Sequence, residues 1–238
     1  PGGLLATLRP YQREGWHWLA FLYEHGFGAC LADDMGLGKT LQAILLLGGI
    51  REGLLRAPGG GGRRPHLIVV PPSLLFNWES EIRKFYPGLS VVAYTGAARS
   101  LAFGDADAVL TTYGLVRRDL ARLKQIPFDV IVFDEAQAVK NAAADTTGAV
   151  RQLQARFKLA MTGTPVENHI GEFVSILDLA VPGLLEDVKA GRVEQVVRRT
   201  RPFVLRRTKA QILEELPPKV ETDIYLELTE HQKMLYRR

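Results

Sequence analysis

The sequence lacks the residues and apolar runs that a disulfide-stabilised or membrane-spanning protein needs. Its 238 residues contain one cysteine, Cys30, so no disulfide can form within the chain, and a single thiol suits a reducing compartment. The apolar stretches of the chain, such as the one around residues 41–47, are far shorter than the roughly 20 residues that cross a bilayer. The start has neither an initiator Met nor a basic segment, which indicates an excised fragment and no signal peptide. We therefore expect a cytoplasmic protein without a membrane partner.

What the sequence does contain is the composition of a globular domain with a core. Apolar residues make up 47% and charged residues 24% of the chain, and no internal repeat is present. The length suits one large domain, or one domain with an appendage. The net charge of +4 permits a nucleic-acid partner but does not argue for one, because a basic footprint must be clustered to matter.

Strand and helix patterns alternate along the first three quarters of the chain. Strands such as residues 67–70 and 130–133 are apolar on both faces, as in a parallel sheet covered by helices on both sides. This pattern predicts an open α/β fold over residues 1–181, with ligands at the carboxyl ends of the strands. Charged helical stretches follow, so residues 182–238 are predicted to form a smaller peripheral helical element. The predicted strands are residues 28–32, 66–70, 90–94, 108–112, 130–133 and 158–161, and the predicted helices are residues 10–25, 39–52, 73–85 (capped by Ser73), 113–124, 145–153 and 168–179.

The clearest chemical signal is a phosphate-binding loop over residues 33–40, between a buried strand and a helix. Its glycines let backbone N–H groups converge on phosphate oxygens at a helix amino terminus. Lys39 would neutralise the phosphates of ATP, and the Thr40 hydroxyl would coordinate Mg²⁺. Asp33 departs from the usual pattern, which has glycine at that position. The predicted phosphate-binding residues are Gly36, Leu37, Gly38, Lys39 and Thr40.

A pair of carboxylates, Asp134 and Glu135, ends the buried strand at residues 130–133. Asp134 would hold Mg²⁺, directly or through water. Glu135 would polarise the attacking water, which favours a hydrolase over a kinase, since a kinase must avoid activating water.

Taken in order, these segments resemble the Swi/Snf family of helicase-like ATPases in helicase superfamily two. The resemblance covers nearly the whole chain, and it accounts for Asp33 because this family carries an acidic residue there. The matching segments are residues 8–15 (adenine-reading Q segment), 33–40 (motif I), 71–78 (Ia), 111–113 (Ib), 134–137 (II), 161–165 (III), and 203–209 with 216–219, which lead towards the second lobe.

The resemblance implies a RecA-like nucleotide-binding lobe of a motor driven by ATP and Mg²⁺. Gln12 would contact the adenine base, and the partner would be the phosphate backbone of double-stranded DNA. Gln137, where many members have His, indicates a bacterial or archaeal member, which would be nucleoid-associated if bacterial. The implied DNA contacts are Ser73, Asn77, Thr111 and Thr112. The implied coupling residues, which link nucleotide state to DNA grip, are Gln137, Thr162, Thr164, Arg206 and Arg207. A DNA-facing basic patch is the alternative to a solvated face for Arg198, Arg199, Arg201, Arg206, Arg207 and Lys209.

The resemblance also implies a partner within the parent protein, a second RecA-like lobe. Nothing after Lys219 resembles that lobe, so we expect the isolated chain to bind ATP and DNA weakly and to hydrolyse ATP very slowly. Two other interpretations stay open at this point. One is a different phosphate-loop enzyme such as a kinase, and the other is a module that grips DNA or protein without turnover.

Overall fold

Seven parallel strands form one continuous sheet in a computed structural model that describes residues 1–57, 59–97, 99–138, 144–163, 170–188 and 192–212. The strand order is β3-β4-β2-β5-β6-β1-β7, and every recorded neighbouring pair is parallel. The strands are β1 (Ala29–Leu31), β2 (His66–Val70), β3 (Val91–Ala93), β4 (Ala108–Thr112), β5 (Phe128–Phe133), β6 (Ala155–Met161) and β7 (Val204–Leu205). Because all of them run the same way, their carboxyl ends meet on one side of the sheet.

Helices cover both faces of this sheet. They are α1 (Pro10–Glu24), α2 (Lys39–Arg51), α3 (Leu75–Phe85), α4 (Tyr113–Arg118), α5 (Leu120–Leu123), α6 (Ala144–Arg151), α7 (Ile170–Ala180) and α8 (Val193–Thr200). No helix among the described residues is long and apolar enough to cross a membrane.

Two apolar layers result from the alternation of side chains along the strands. On one face, Ile68 and Val132 pack with residues of α1, α2 and α3, including Trp78. On the other face, Val69 and Ile131 pack with residues of α4, α5, α6 and α7. The central strands β2, β4 and β5 are buried along their whole length, which is why their sequences are apolar on both faces.

The predicted α/β fold with a covered parallel sheet is confirmed, and two local details differ from the prediction. Ser73 does not cap α3. It lies in a single 3₁₀ turn, Pro72–Leu74, that precedes the helix, and its side chain makes no capping hydrogen bond. The helix predicted over residues 113–124 is two short helices, which are separated at Asp119.

The segment after Pro182 was predicted to be peripheral, but part of it belongs to the sheet. Within it, β7 adds a seventh strand to the sheet, with Cys30 opposite Val204 and Leu31 opposite Leu205. A backbone hydrogen bond of 2.8 Å from Ala32 to Leu205 extends this pairing. Two strand residues give too short a pattern to be recognised against charged helical surroundings. Residues 213–238 lie outside the described part of the chain.

Candidate active site

The loop that follows β1 has the backbone of a phosphate-binding loop. Gly36 and Gly38 have positive φ values of 85° and 76°, which an L side chain adopts only with strain. Gln12 of α1 packs against this loop, and its Nε2 lies 3.4 Å from the carbonyl oxygen of Leu37. A Cβ placed on Gly38 would come within 2.6 Å of that Nε2. Position 38 therefore favours glycine for its backbone conformation, and a larger residue there would also displace the Gln12 amide.

Lys39 is the first residue of α2, and its ammonium folds back over the loop. Nζ donates to the carbonyl oxygens of Asp33 at 2.6 Å and Asp34 at 3.2 Å. Burial lowers the pKa of Lys39, and the charges of Asp33, Glu135, Asp134 and Asp34 oppose that shift. The charges of these four carboxylates therefore favour the protonated ammonium, and Thr40 follows Lys39 in the same first turn of α2.

The structure explains the acidic residue at position 33. Asp33 is fully buried, and it accepts hydrogen bonds of 3.0 Å from both N and Nε of Arg207 and one of 2.5 Å from Nη2. Arg207 also donates to Gln42 Oε1 at 2.9 Å and to the Tyr11 carbonyl, and its guanidinium lies 5.2 Å from the Tyr11 ring centroid. One arginine thus joins β7 to the phosphate loop, α1 and α2.

Asp134 lies at the carboxyl end of β5. Its Oδ2 accepts a hydrogen bond of 2.7 Å from Trp78 Nε1, and its Oδ1 accepts one of 2.9 Å from the backbone N–H of Glu135. The Tyr113 hydroxyl donates to the Asp134 carbonyl at 2.7 Å. Burial raises the pKa of Asp134, and the two donors to its carboxylate oppose that rise. The carboxylate is thereby fixed in position.

Glu135 has an unusual backbone conformation, with φ of 46°, where non-glycine residues are uncommon. Such conformations cost on the order of 1–3 kcal/mol and are found preferentially at functional sites. Gln137 donates from Nε2 to Glu135 Oε2, and Thr162 Oγ1 donates to Gln137 Oε1 at 2.7 Å. Two of the predicted coupling residues therefore join the Glu135 carboxylate to the loop after β6.

That loop also packs against the phosphate loop. A Cβ placed on Gly163 would lie 2.8 Å from Met35 Cγ and 3.5 Å from Lys39 Nζ. The predicted motifs I, II and III are therefore brought together around Lys39. Thr164, the third predicted coupling residue of this region, lies outside the described residues.

The donor set fits ATP with Mg²⁺. The loop offers a lysine and glycine-rich backbone at a helix amino terminus, and two neighbouring carboxylates follow β5. Among the described residues, no group of three or more His, Cys, Asp or Glu side chains is arranged to hold a metal. Mg²⁺ typically binds through one or two carboxylates together with substrate phosphates, so Asp134 and Thr40 would hold it with the nucleotide.

The predicted DNA contacts divide into exposed and buried residues. Ser73 and Asn77 are exposed on the segment that follows β2, with Asn77 Nδ2 3.2 Å from Glu81 Oε1. Thr112 caps α4, since its hydroxyl accepts from the Leu115 N–H at 3.4 Å. Thr111 is fully buried and donates to the Tyr94 carbonyl at 3.0 Å, so the prediction that it contacts DNA does not fit the structure.

The basic residues after Pro182 differ in exposure and in their partners. The Arg207 side chain is largely buried against Asp33, and Arg199 pairs with Asp187 through two hydrogen bonds, one of 2.8 Å. The Arg207 side chain therefore does not fit the alternative of a DNA-facing patch, and Arg199 is already paired with a carboxylate. The exposed members are Arg198, Arg201, Arg206 and Lys209.

Two contacts of the site were not predicted from the sequence. Trp78 lies in the segment matched to motif Ia without a role of its own, yet its N–H holds the Asp134 carboxylate. Arg207 was assigned to coupling only by resemblance, without its partner Asp33. The one available signal was Asp33 itself, because a charge directly after a buried strand needs a partner.

Comparisons with known proteins show what this chain is similar to. A family model described as the SNF2-related domain matches residues 11–238. A Bacillus subtilis protein named as a putative ATP-dependent helicase/translocase is 39% identical over 98% of this chain and 27% of its own length. The TATA-binding protein-associated factor MOT1 of Saccharomyces cerevisiae is 35% identical over 99% of this chain and 15% of its own length.

A solved structure, the Sulfolobus solfataricus SWI2/SNF2 ATPase core in complex with double-stranded DNA, is similar in both sequence and fold. It matches 99% of this chain with a TM-score of 0.80 and 37% identity, and the match covers 52% of that structure. The chain therefore spans about half of the solved ATPase core and about a quarter or less of the two curated relatives.

Proposed function

The chain belongs to the SNF2 family of ATP-dependent helicases and ATPases, and from that premise we propose that it is the nucleotide-binding lobe of a motor that moves along double-stranded DNA. The observation that carries the proposal is that the loop after β6 lies against Lys39 and is linked to Glu135: a Cβ placed on Gly163 would lie 3.5 Å from Lys39 Nζ, and Thr162 is linked through Gln137 to the carboxylate of Glu135, which follows Asp134. Lys39, Asp134 and Glu135 supply a phosphate-binding cation, a metal ligand and a base.

Lys39 binds the phosphates of ATP in this proposal. In the structure its ammonium donates to the carbonyls of Asp33 and Asp34, which hold it over the loop. Because burial disfavours a charge without a partner, the gain from binding a phosphate oxygen there is larger than in water. Gln12, packed on the loop at Leu37, is placed to contact the base of the nucleotide.

Glu135 accepts the proton of the attacking water. Its carboxylate is held by Gln137, and its backbone carbonyl accepts from the Ala138 N–H at 2.7 Å. Mg²⁺, when bound at Asp134 and Thr40, would withdraw charge from the phosphate oxygens. The link from Glu135 through Gln137 to Thr162 is the route by which movement of the loop after β6 would change the position of the base.

Double-stranded DNA is the proposed polymer. The similar Sulfolobus solfataricus ATPase core was solved in complex with double-stranded DNA. Exposed Ser73 and Asn77 offer a hydroxyl and an amide, which suit phosphate contacts and carry no base readout. We therefore expect binding that weakens with salt and depends little on sequence.

The second half of the motor would correspond to the part of the Sulfolobus solfataricus ATPase core that this chain does not match. Since this chain covers 52% of the Sulfolobus solfataricus structure, we propose that a second RecA-like lobe completes the site in the full-length protein. An arginine supplied by a partner lobe or protein is worth roughly 10³–10⁵ in rate in comparable NTPases, so the lobe alone would hydrolyse ATP very slowly.

The deciding experiment measures the ATPase rate of the full-length protein with duplex DNA, single-stranded DNA and RNA at equal nucleotide concentration. Duplex DNA is expected to stimulate the rate most, regardless of sequence. Lys39→Ala serves as the control, because it should abolish stimulated hydrolysis. Stimulation by single strands alone, or by RNA alone, would exclude the duplex translocase and leave the ATPase assignment standing.

A further inference from the structure

The segment that follows β7 returns to the phosphate loop and is anchored there at several points. The Asp34 N–H donates to the Arg207 carbonyl at 3.0 Å, and the Lys209 N–H donates to Asp34 Oδ2 at 2.9 Å. Three residues later, Ile212 is buried in a small apolar cluster with Tyr11 and Leu37. Together with the Arg207–Asp33 ion pair, these contacts fix residues 207–212 against the loop.

The anchoring places the Lys209 side chain beside the glycine-rich part of the loop. A Cβ placed on Gly36 would lie 3.8 Å from Cε and 3.9 Å from Nζ of Lys209. Lys209 is exposed, and among the described residues no carboxylate forms an ion pair with it. A cation is thus held next to the loop backbone without an anionic partner from the described part of the protein.

The local charge balance favours a second cation here. Asp34, Asp134 and Glu135 lie close enough to influence the Lys39 ammonium, while the fourth carboxylate, Asp33, is neutralised by Arg207. A nucleotide triphosphate adds several negative charges to this site. Lys39 and a bound Mg²⁺ would together leave part of the negative charge of the triphosphate and of the nearby carboxylates uncompensated, and an ammonium about 4 Å from a phosphate is attracted to it even in partly solvated surroundings.

We propose that Lys209 is a second phosphate-binding lysine of the nucleotide site, supplied from the segment after β7 and directed at the phosphates over Gly36. This inference rests on the proposed function and deepens it, since it assigns to the phosphates a residue that the sequence grouped with a DNA-facing patch. It also gives the Arg207–Asp33 pair a role as a positioning contact that holds Lys209 at the loop.

The test is a titration of the full-length protein with fluorescent ATP in the presence of Mg²⁺. Lys209→Gln keeps the backbone N–H that binds Asp34, so the segment should stay in place while the charge is lost. We expect about tenfold weaker ATP binding, equivalent to about 1.4 kcal/mol, and a shallower dependence of affinity on salt. Lys209→Arg should bind within about twofold of the wild type because it keeps the charge.

Lys124→Gln is the matched control. Lys124 is also exposed, but it precedes β5 and therefore lies at the opposite ends of the strands from the loop, so ATP affinity should not change. Competition with adenosine and with inorganic triphosphate separates the two halves of the nucleotide. Lys209→Gln should weaken the triphosphate about tenfold and leave adenosine unchanged. An equal loss for adenosine would contradict the phosphate assignment.

Lys39→Ala separates the failure of this inference from the failure of the proposed function. If Lys39→Ala loses ATP and Lys209→Gln does not, the inference is wrong and the nucleotide site stands. If neither variant changes ATP binding, the proposed function itself is wrong. Tighter binding by Lys209→Gln would show that Lys209 occupies the phosphate position as a competitor, which also overturns the inference. Unchanged thermal unfolding of Lys209→Gln establishes that its fold is intact.

Discussion

Asp107 and Asp129 at the amino ends of the parallel strands have partners of a different kind from those of Asp134 and Glu135 at the carboxyl ends. At the amino ends, Asp107 accepts hydrogen bonds from Arg51 at 2.9 Å, from Arg63 at 2.5 Å, and from the backbone and hydroxyl of Ser90. At the carboxyl ends, Asp134 and Glu135 have no ion pair with any described residue.

The amino-end pattern repeats at Asp129, which accepts from the Tyr23 hydroxyl at 3.1 Å and pairs with Arg156 at 3.4 Å. Arg156 in turn donates to the carbonyls of Gly60 and Gly62, and Arg63 pairs with Asp107, so these contacts hold the glycine-rich loop in place. The neutralised Asp107 and Asp129 stabilise the fold at the amino ends, and Asp33 is neutralised by Arg207 at the carboxyl ends, whereas Asp134 and Glu135 form no ion pair with a described residue and leave room for a ligand.

The largest expected effect is loss of hydrolysis in Glu135→Gln. The amide keeps the shape of the side chain but cannot accept a proton, so we expect kcat to fall by about 10²–10⁴ while ATP affinity stays within a few-fold. DNA-stimulated ATPase assays and nucleotide titrations of the full-length protein measure both quantities. Asp107→Asn, at the opposite ends of the strands, should hydrolyse ATP at the wild-type rate per folded molecule. A near wild-type rate for Glu135→Gln would remove it as the base.

The next effect is a pH-dependent loss of stability caused by His66 at the start of β2. Burial lowers its pKa to about 4, opposed by the charges of Asp129 and Asp107 and reinforced by Arg63. Between about pH 6.5 and pH 4 the unfolded chain binds a proton that the folded chain does not. The free energy of unfolding should therefore decrease by about 3 kcal/mol as the pH is lowered through that window.

Native-state hydrogen exchange of the amides in β2 and β5 measures this loss for the lobe itself. His66→Gln should flatten the slope above about pH 4. Asp107, whose pKa is lowered chiefly by hydrogen bonds from Ser90 against an opposing effect of burial, contributes stability that is lost only at lower pH. An unchanged slope in His66→Gln would assign the titration to another group.

Asp107→Asn should destabilise the lobe by about 2–3 kcal/mol, because it leaves the guanidinium groups of Arg51 and Arg63 without their carboxylate. Both arginines are partly exposed, at 41% and 63%, which keeps the loss below that of a fully buried pair. The corresponding removal of charge at the other ends of the strands, Glu135→Gln, should leave stability unchanged or slightly higher. Equal destabilisation by the two variants, measured by hydrogen exchange, would contradict the contrast between the two ends.

The smallest expected effect concerns Trp78→Phe, which keeps an aromatic ring in the core but removes the donor to Asp134 Oδ2. A hydrogen bond to a charged group contributes about 1.5–3 kcal/mol, and the low end applies here because the Glu135 N–H still binds the carboxylate. We expect about 1.5 kcal/mol of lost stability and weaker binding of Mg²⁺ with ATP. Trp18→Phe, which removes a donor to the exposed carbonyl of Pro202, is the control with little expected change. If ATP binding depended on Mg²⁺ concentration equally in both variants, Trp78 would not position Asp134.

Much of the fold followed from local patterns. The apolar sequences of β2, β4 and β5 indicate their burial, and the loop after β1 has its glycines and lysine within five residues, so sequence neighbours suffice to specify it. Asp134 and Glu135 were found for the same reason, because they directly follow a buried strand. Each of these features is determined by the backbone conformation of a short segment.

The sequence by itself determined which residues could bind phosphate, metal and water, because those chemistries need particular side chains at short spacings. Only the tertiary structure decided which buried charges are neutralised. Arg207 reaches Asp33 across 174 residues, and Trp78 reaches Asp134 across 56. The tertiary structure also decided the position of the Thr111 hydroxyl, which is buried and donates to the Tyr94 carbonyl. A parallel sheet places the ends of distant strands side by side, and no pattern along the chain records which ends will meet.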